Sequence, residues 1–165
     1  MSAVADASAL IALSALSCLP LLKVFFSELL IPEAVYREVV LEGQGKPGAR
    51  EVQEAEWIRW APVRDQPAVE AMLVRPGFER GEAEAIVLAK ERGAAWLVLD
   101  EDDRGPRKYA RELGLSVIGT LGVLLRAKQE GRVASLADKL EELKANGFWI
   151  DPALARSLVR AGGEG

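Results

Sequence analysis

Three features of the sequence predict an α/β fold: a three-layer α/β/α sandwich around a central, mainly parallel sheet of four or five strands. Apolar runs without polar alternation, Ala95-Trp96-Leu97-Val98-Leu99 above all, read as strands buried on both faces, as in a parallel sheet. Segments with helical periodicity separate those runs. Strand and helix signals alternate at the spacing of crossover units, which lays helices over both sheet faces. The length, 165 residues, suits one domain over 1–165 and is short for two.

Taken in order, Ser2 to Ala5 reads as a short strand running straight into Asp6. A helix follows from about Ser8, Pro20 breaks it, and a second short helix runs through Phe26. Leu29-Leu30-Ile31 makes a brief strand, and Pro32 opens the helix carrying Val35, Glu38 and Val39, because proline suits a first helical turn. Gly43 to Gly48 is a loop, and a strand is placed around Trp57 and Trp60 within Glu56 to Val63. Helical periodicity runs from about Glu79 to Arg92 and stops at Gly93, the residue that tolerates a left-handed terminus. The buried strand ending at Leu99 delivers Asp100. Pro106 to Leu113 is helical and ends at Gly114; Leu115 to Ile118 gives another buried strand; Gly119-Thr120 caps the helix after it. Three helical stretches close the chain.

Composition excludes whole classes of chemistry. Histidine is absent and Cys18 is the only cysteine, so a Ser-His-Asp triad, a Cys-His pair and any His- or Cys-based zinc site cannot form within one chain. A disulfide framework is equally excluded, and a lone thiol in an apolar run suits a reducing interior. A metal here must be held by oxygens, which favours Mg²⁺ or Mn²⁺. The net charge of −4 argues mildly against a general nucleic-acid coat protein. The apolar run from Ala9 to Phe26 follows Asp6 and is interrupted by Ser14, Ser17, Pro20 and Lys23. It therefore reads as buried helix rather than signal peptide or membrane span, and a cytoplasmic protein without membrane contacts is expected.

Four acids stand out against this frame. In a parallel sheet the carboxyl ends of the strands share one edge, where ligands bind. Asp6 and Asp100 both directly follow apolar strands. Glu38 shares a helical stripe with Ile31, Ala34, Val35 and Leu41, and Glu82 shares one with Ala85, Ile86 and Ala89; Glu84 lies off that stripe. A carboxylate in an apolar stripe faces inward. Each acid also has a simpler reading: Asp6 and Asp100 as helix caps, Glu82 as a favourable charge at a helix start, Glu38 as an exposed stripe edge. Together they would repel one another strongly unless a cation neutralised them.

The segments VADASALIAL, IPEAVYREVV, GEAEAIVLA and WLVLDEDDRGPRKYARELGLSVIGTLGVLLRAK, with the tail ANGFWIDPALARSLVRAGGE, together resemble the PIN-domain superfamily of ribonucleases. More narrowly they resemble a compact prokaryotic branch with the GEAEAI segment, related to toxins encoded beside small antitoxin proteins. The resemblance implies endonucleolytic, metal-dependent hydrolysis of RNA, single-stranded by expectation. It implies an acidic Mg²⁺ or Mn²⁺ pocket at Asp6, Glu38, Glu82 and Asp100, with Ser8 matching a hydroxyl two residues after the first aspartate. EDDRGP after Asp100 is longer than the family's usual loop, so Asp102 or Asp103 shares or displaces the role of Asp100, and Asp103 joins the candidate ligands. An antitoxin protein and a homodimer are the implied partners.

Other residues have weaker claims. Arg104, Arg107, Lys108 and Arg111 follow Asp100 and either grip flanking phosphates or cover a solvated helix face. Gly43-Gln44-Gly45-Lys46-Pro47-Gly48 spells a dinucleotide fingerprint but follows a helix, where the fingerprint needs a strand before it. Trp57, Trp60 and Trp149 suit packing, subunit contacts or base stacking, whereas Trp96 reads as core. Two competing functions fit the same residues: a catalytically inactive PIN-like module that binds RNA or protein, and a small-molecule phosphoesterase. Against the latter, Asp6-Ala7-Ser8 lacks the second aspartate of an aspartyl-phosphate phosphatase.

Overall fold

The computed structural model of the protein describes residues 1–100 and 105–165. Five strands, β1 (Ser2–Ala5), β2 (Glu28–Pro32), β3 (Ile58–Ala61), β4 (Trp96–Val98) and β5 (Ser116–Ile118), form one sheet in the order β3-β2-β1-β4-β5. Every pairing is parallel. The expected three-layer α/β architecture is therefore the observed one.

Alternation along the strands builds two cores, one on each face. Ala3, Ala5, Leu29, Ile31 and Val98 pack with α1 (Ala7–Ala15), α2 (Pro20–Phe25), α8 (Thr120–Gln129) and α9 (Leu136–Ala145). Val4, Leu30, Leu97 and Leu99 pack with α5 (Gln66–Leu73), α6 (Arg80–Arg92) and α7 (Pro106–Glu112) on the other face. From β1 the chain steps to β2 and β3 on one side, then crosses back through α5 and α6 to β4 and β5 on the other. Right-handed crossovers running in opposite directions must use opposite faces, which is why both faces are covered. α6 touches β1, β2, β4, α3 (Glu33–Tyr36), α5 and α7, so Gly81 through Ala89 are buried on every side. The last helix, α10 (Pro152–Ala161), lies against α8 and α9, and Glu164 beyond it accepts the N–H groups of Leu136 (2.6 Å) and Ala137 (3.2 Å) at the start of α9.

Several expectations need correction. The helix after Pro32 is α-helical only through Tyr36; Arg37–Leu41 is a π-helical turn, closed by the Glu42 N–H donating to the Arg37 carbonyl at 2.8 Å. A π turn carries five residues per hydrogen bond instead of four, so the apolar face slips. Val39 and Val40 are buried beside Val35, while Leu41, expected inside, is 56 % exposed. β5 was expected to be buried on both faces but is an edge strand, with Ser116 exposed and Val117 and Ile118 half-buried. Two short helices, α4 (Ala49–Glu54) and α5, occupy stretches that the sequence pattern leaves unassigned. The glycine-rich run 43–48 connects the π turn to α4 with no strand before it.

Candidate active site

β1 and β4 are neighbours whose onward connections leave in opposite directions, so the crevice beyond their carboxyl ends is the sheet's topological switch point, the usual ligand position in this architecture. Asp6 stands there, its N–H donating to the Val98 carbonyl at 2.9 Å and its residue surface only 4 % exposed. It occupies the N-cap position of α1, yet its side chain makes no capping hydrogen bond, so capping does not account for it. Its Oδ1 faces the start of α6. A β-carbon built on Gly81 would stand 3.2 Å from that oxygen and 3.9 Å from Oε1 of Glu38. The two carboxylate oxygens are separated by no more than the sum of those distances, within a metal-bridging span of roughly 8 Å. Gly81, without a side chain, is the residue that both carboxylates approach.

Glu38 is solvent-exposed rather than inward-facing as its stripe suggested, because the π turn rotates it to the mouth of a cleft of about 490 Å³. The lining includes Glu33, Glu38, Glu42, Glu79 and Glu84 against Arg37 and Arg80, an acidic surplus that favours a cationic occupant. Desolvation, with the Glu79 and Glu42 carboxylates adding repulsion, pushes the Glu38 carboxyl above its ordinary value.

The other two acids are engaged in the framework. Glu82 is buried, and its Oε1 accepts the Glu79 N–H at 2.8 Å where α6 opens. Asp100, half-buried, accepts the Thr120 N–H on Oδ1 (2.5 Å) and the Thr120 hydroxyl on Oδ2 (2.6 Å), anchoring the start of α8. Arg107 Nη1 lies beside it, both atoms crowding the space above Gly119. Ser8 is half-buried in the first turn of α1, Arg107 is half-buried, and Lys108 and Arg111 are exposed on α7. Asp102, Asp103 and Arg104 lie outside the described residues. Among the described residues no group of three or more acidic side chains is disposed to hold a metal ion.

One functional-looking acid escaped the sequence reading. Glu84 is 6 % exposed; its Oε1 accepts the Ala34 N–H at 3.1 Å and its Oε2 lies 3.5 Å from Arg80 Nη1. It ties α6 to the first turn of α3 and so fixes Glu38's helix against Gly81. The available signal was the alternating alanine-glutamate of GEAEAI: a helix with small residues on every face is packed all round, and a stripe argument fails there. Arg37 and Arg80, both in the cleft wall, were also missed.

The donor chemistry fits a hard divalent ion, because magnesium is commonly held by one or two carboxylates with waters and phosphate oxygens completing its shell. Asp6 and Glu38 supply two such carboxylates, all-oxygen and partly desolvated. No helix in the described residues is long and apolar enough to cross a membrane. No curated protein is significantly similar to the chain. A family profile described as a PIN domain matches residues 2–164; PIN domains are generally nucleases and usually use divalent metals. With a parallel five-stranded sheet, a carboxylate pair at its switch point and a family match over almost its whole length, the chain belongs to the PIN-domain family.

Proposed function

We propose that this protein is a Mg²⁺- or Mn²⁺-dependent endoribonuclease whose reaction centre is the Asp6–Glu38 pair at Gly81. The observation that carries this reading is the buried Asp6 carboxylate approaching the same side-chain-free position, Gly81, as the Glu38 carboxylate. Asp6 and Glu38 would hold the ion, with Asp100 at the end of β4 as a further candidate, Asp103 another from the sequence alone, and Glu82 supporting from α6. When bound, such an ion neutralises phosphate charge and lowers the pKa of a bound water.

The remaining chemistry belongs to side chains of the chain. A carboxylate oxygen of the cleft not engaged by the ion would accept a proton from an attacking water. Arg37 and Arg80 line the cleft and can hold phosphates flanking the scissile one. Arg104, Arg107 and Lys108 remain candidates for the same task beyond β4, with Ser8 a hydroxyl donor beside Asp6. Glu84 and Glu82 keep α3 and α6 in register, which fixes the separation of the reacting carboxylates; misplacement by about 1 Å costs on the order of 10²-fold in rate. The family resemblance extends the proposal to a toxin of a toxin–antitoxin pair acting on single-stranded RNA, with an antitoxin protein as inhibitor and a homodimer as the working form.

A second reading, a PIN module that binds RNA or protein without cutting, is favoured by one observation: both oxygens of Asp100 already accept hydrogen bonds from Thr120. An RNA labelled at both ends separates the two. Internal fragments that form with Mn²⁺ and vanish on chelation support the nuclease; tight binding without fragments supports the module. Fragments that persist after exhaustive chelation contradict the metal-dependent reading.

A further inference from the structure

One aromatic pair beside the cleft takes no part in the function proposed above. Trp60 of β3 is 52 % exposed, and its ring lies against Tyr36 of α3 with centroids 6.0 Å apart and planes tilted by 30°. Tyr36 is itself packed on the core of the α1 face. The indole is thus held on one side by an anchored ring and open to solvent on the other, the arrangement of a preorganised platform.

Its position matters as much as its exposure. Trp60 pairs with Ile31 and stands one residue before the carboxyl end of β3, so it shares the sheet edge with Asp6. Tyr36 sits between residues of the cleft wall, with Glu33 and Arg37 on the same short helical segment as Glu38. Arg37, exposed and ion-paired with Glu33 at 3.2 Å, follows Tyr36, and exposed Arg64 follows β3, whereas Arg59 lies on the opposite face of the sheet from Trp60. An open aromatic face on the segment that carries Arg37 into the cleft wall matches a base carried on a phosphate backbone, since stacking takes any base and a nearby guanidinium can meet a phosphate.

We infer that Tyr36 and Trp60 form a stacking platform for one unpaired base of a single-stranded RNA whose backbone enters the Asp6–Glu38 cleft. The identity of the cleft rests on the nuclease reading above; the platform itself does not. A base inside a duplex has both faces covered by its neighbours, so the platform selects unpaired strands.

Fluorescence anisotropy tests this with three labelled ligands of equal length in Ca²⁺ buffer: a single-stranded RNA, the same strand with abasic sites, and a duplex. Trp60→Ala is expected to weaken binding of the single strand by about 5- to 140-fold, the range of base–aromatic stacking, and to leave abasic-strand and duplex binding unchanged. Trp60→Phe should retain most of the affinity. Trp60→Leu, which keeps apolar volume without a flat face, should behave as alanine does and covers the case in which the alanine variant fails to fold. Wild-type affinity for the single strand in Trp60→Leu, an equal loss on the abasic strand, or no single-strand binding by the wild-type protein would each overturn the platform. A change in solution mass on substituting Trp60, without a change in RNA affinity, would assign the pair to a contact between copies. Cleavage assays on the same proteins keep the two readings separate. RNA bound through Trp60 but never cut would retain the platform and remove the nuclease, whereas RNA cut normally by Trp60→Leu would do the reverse.

Discussion

Gly81→Ala separates the fold from the proposed site, because one methyl group reaches the carboxylate pair and little else. The new carbon would stand 3.2 Å from Asp6 Oδ1, 3.5 Å from Val35 Cγ2 and 3.9 Å from Glu38 Oε1. The last two are ordinary contacts; the first requires the Asp6 oxygen to retreat by a few tenths of an ångström. Gly81 lies in the first turn of α6, where alanine gains at most about 1 kcal/mol of helix propensity. That gain offsets the close contact, so the metal-free protein should keep its stability within about 1 kcal/mol. The site should not tolerate the change. Displacing one ligand oxygen should weaken Mn²⁺ binding by about tenfold and slow RNA cleavage by about 10- to 100-fold. A tenfold loss of affinity removes about 1.4 kcal/mol of ligand stabilisation at high metal concentration, or about 3–6 °C of the Mn²⁺-induced rise in melting temperature for a domain of this size. Melting curves with and without Mn²⁺, and cleavage rates on one RNA, measure both quantities. A Gly81→Ala protein with the full Mn²⁺ shift and the wild-type rate would refute the placement of the site between Asp6 and Glu38.

Three further predictions concern the framework. Ser17 holds a left-handed conformation (φ 57°) at the end of α1, where its N–H bonds to the Ser14 carbonyl and the Cys18 N–H bonds to Leu13; Ser17→Gly should stabilise the protein by about 0.5–1.5 kcal/mol in denaturant titrations, and a loss would show that the serine side chain matters more than its backbone. Glu84→Ala should cost about 1.5–3 kcal/mol by removing the acceptor of the Ala34 N–H, with Glu84→Gln costing less; equal melting of all three proteins would remove Glu84 from the α3–α6 junction. The Glu164 carboxyl is held below its ordinary value by the Leu136 N–H first, then Ala137 and Lys128. Its contribution is therefore full above the ordinary carboxylate range and disappears as pH falls through its lowered value. The melting difference between wild type and Glu164→Gln should shrink on acidification, and a difference that grows would contradict the clasp.

The parts of the fold that could be read from sequence are those in which one local signal agrees with the tertiary environment. The strand before Asp100 is apolar without alternation because both its faces are covered, and α6 ends where Gly93 adopts a left-handed conformation (φ 61°). The rest depended on context. No periodicity argument anticipates a π turn, so the stripe through Glu38 was drawn with the wrong phase, placing Leu41 inside and Glu38 facing inward. β5 carries an apolar sequence but forms a sheet edge, a fact of strand order rather than composition. Asp6 and Asp100 look alike in sequence, each ending an apolar run. Only the structure shows that Asp100 anchors Thr120 while Asp6 makes no capping hydrogen bond and points its Oδ1 at Gly81. Glu84 was hidden because helix burial on all sides erases the distinction between stripe and non-stripe positions.

The central claim, that Asp6 and Glu38 jointly hold a divalent ion, is tested most directly by titrating metal-free protein with Mn²⁺ while following free Mn²⁺ by electron paramagnetic resonance. Asp6→Asn and Glu38→Gln nearly preserve shape while each removes one charged ligand. The proposed site predicts saturable Mn²⁺ uptake by the wild-type protein and at least about a tenfold loss of affinity in each variant, because a hard cation takes its affinity from charged oxygen ligands. Uptake of equal affinity in all three proteins, or none in the wild type, would contradict it.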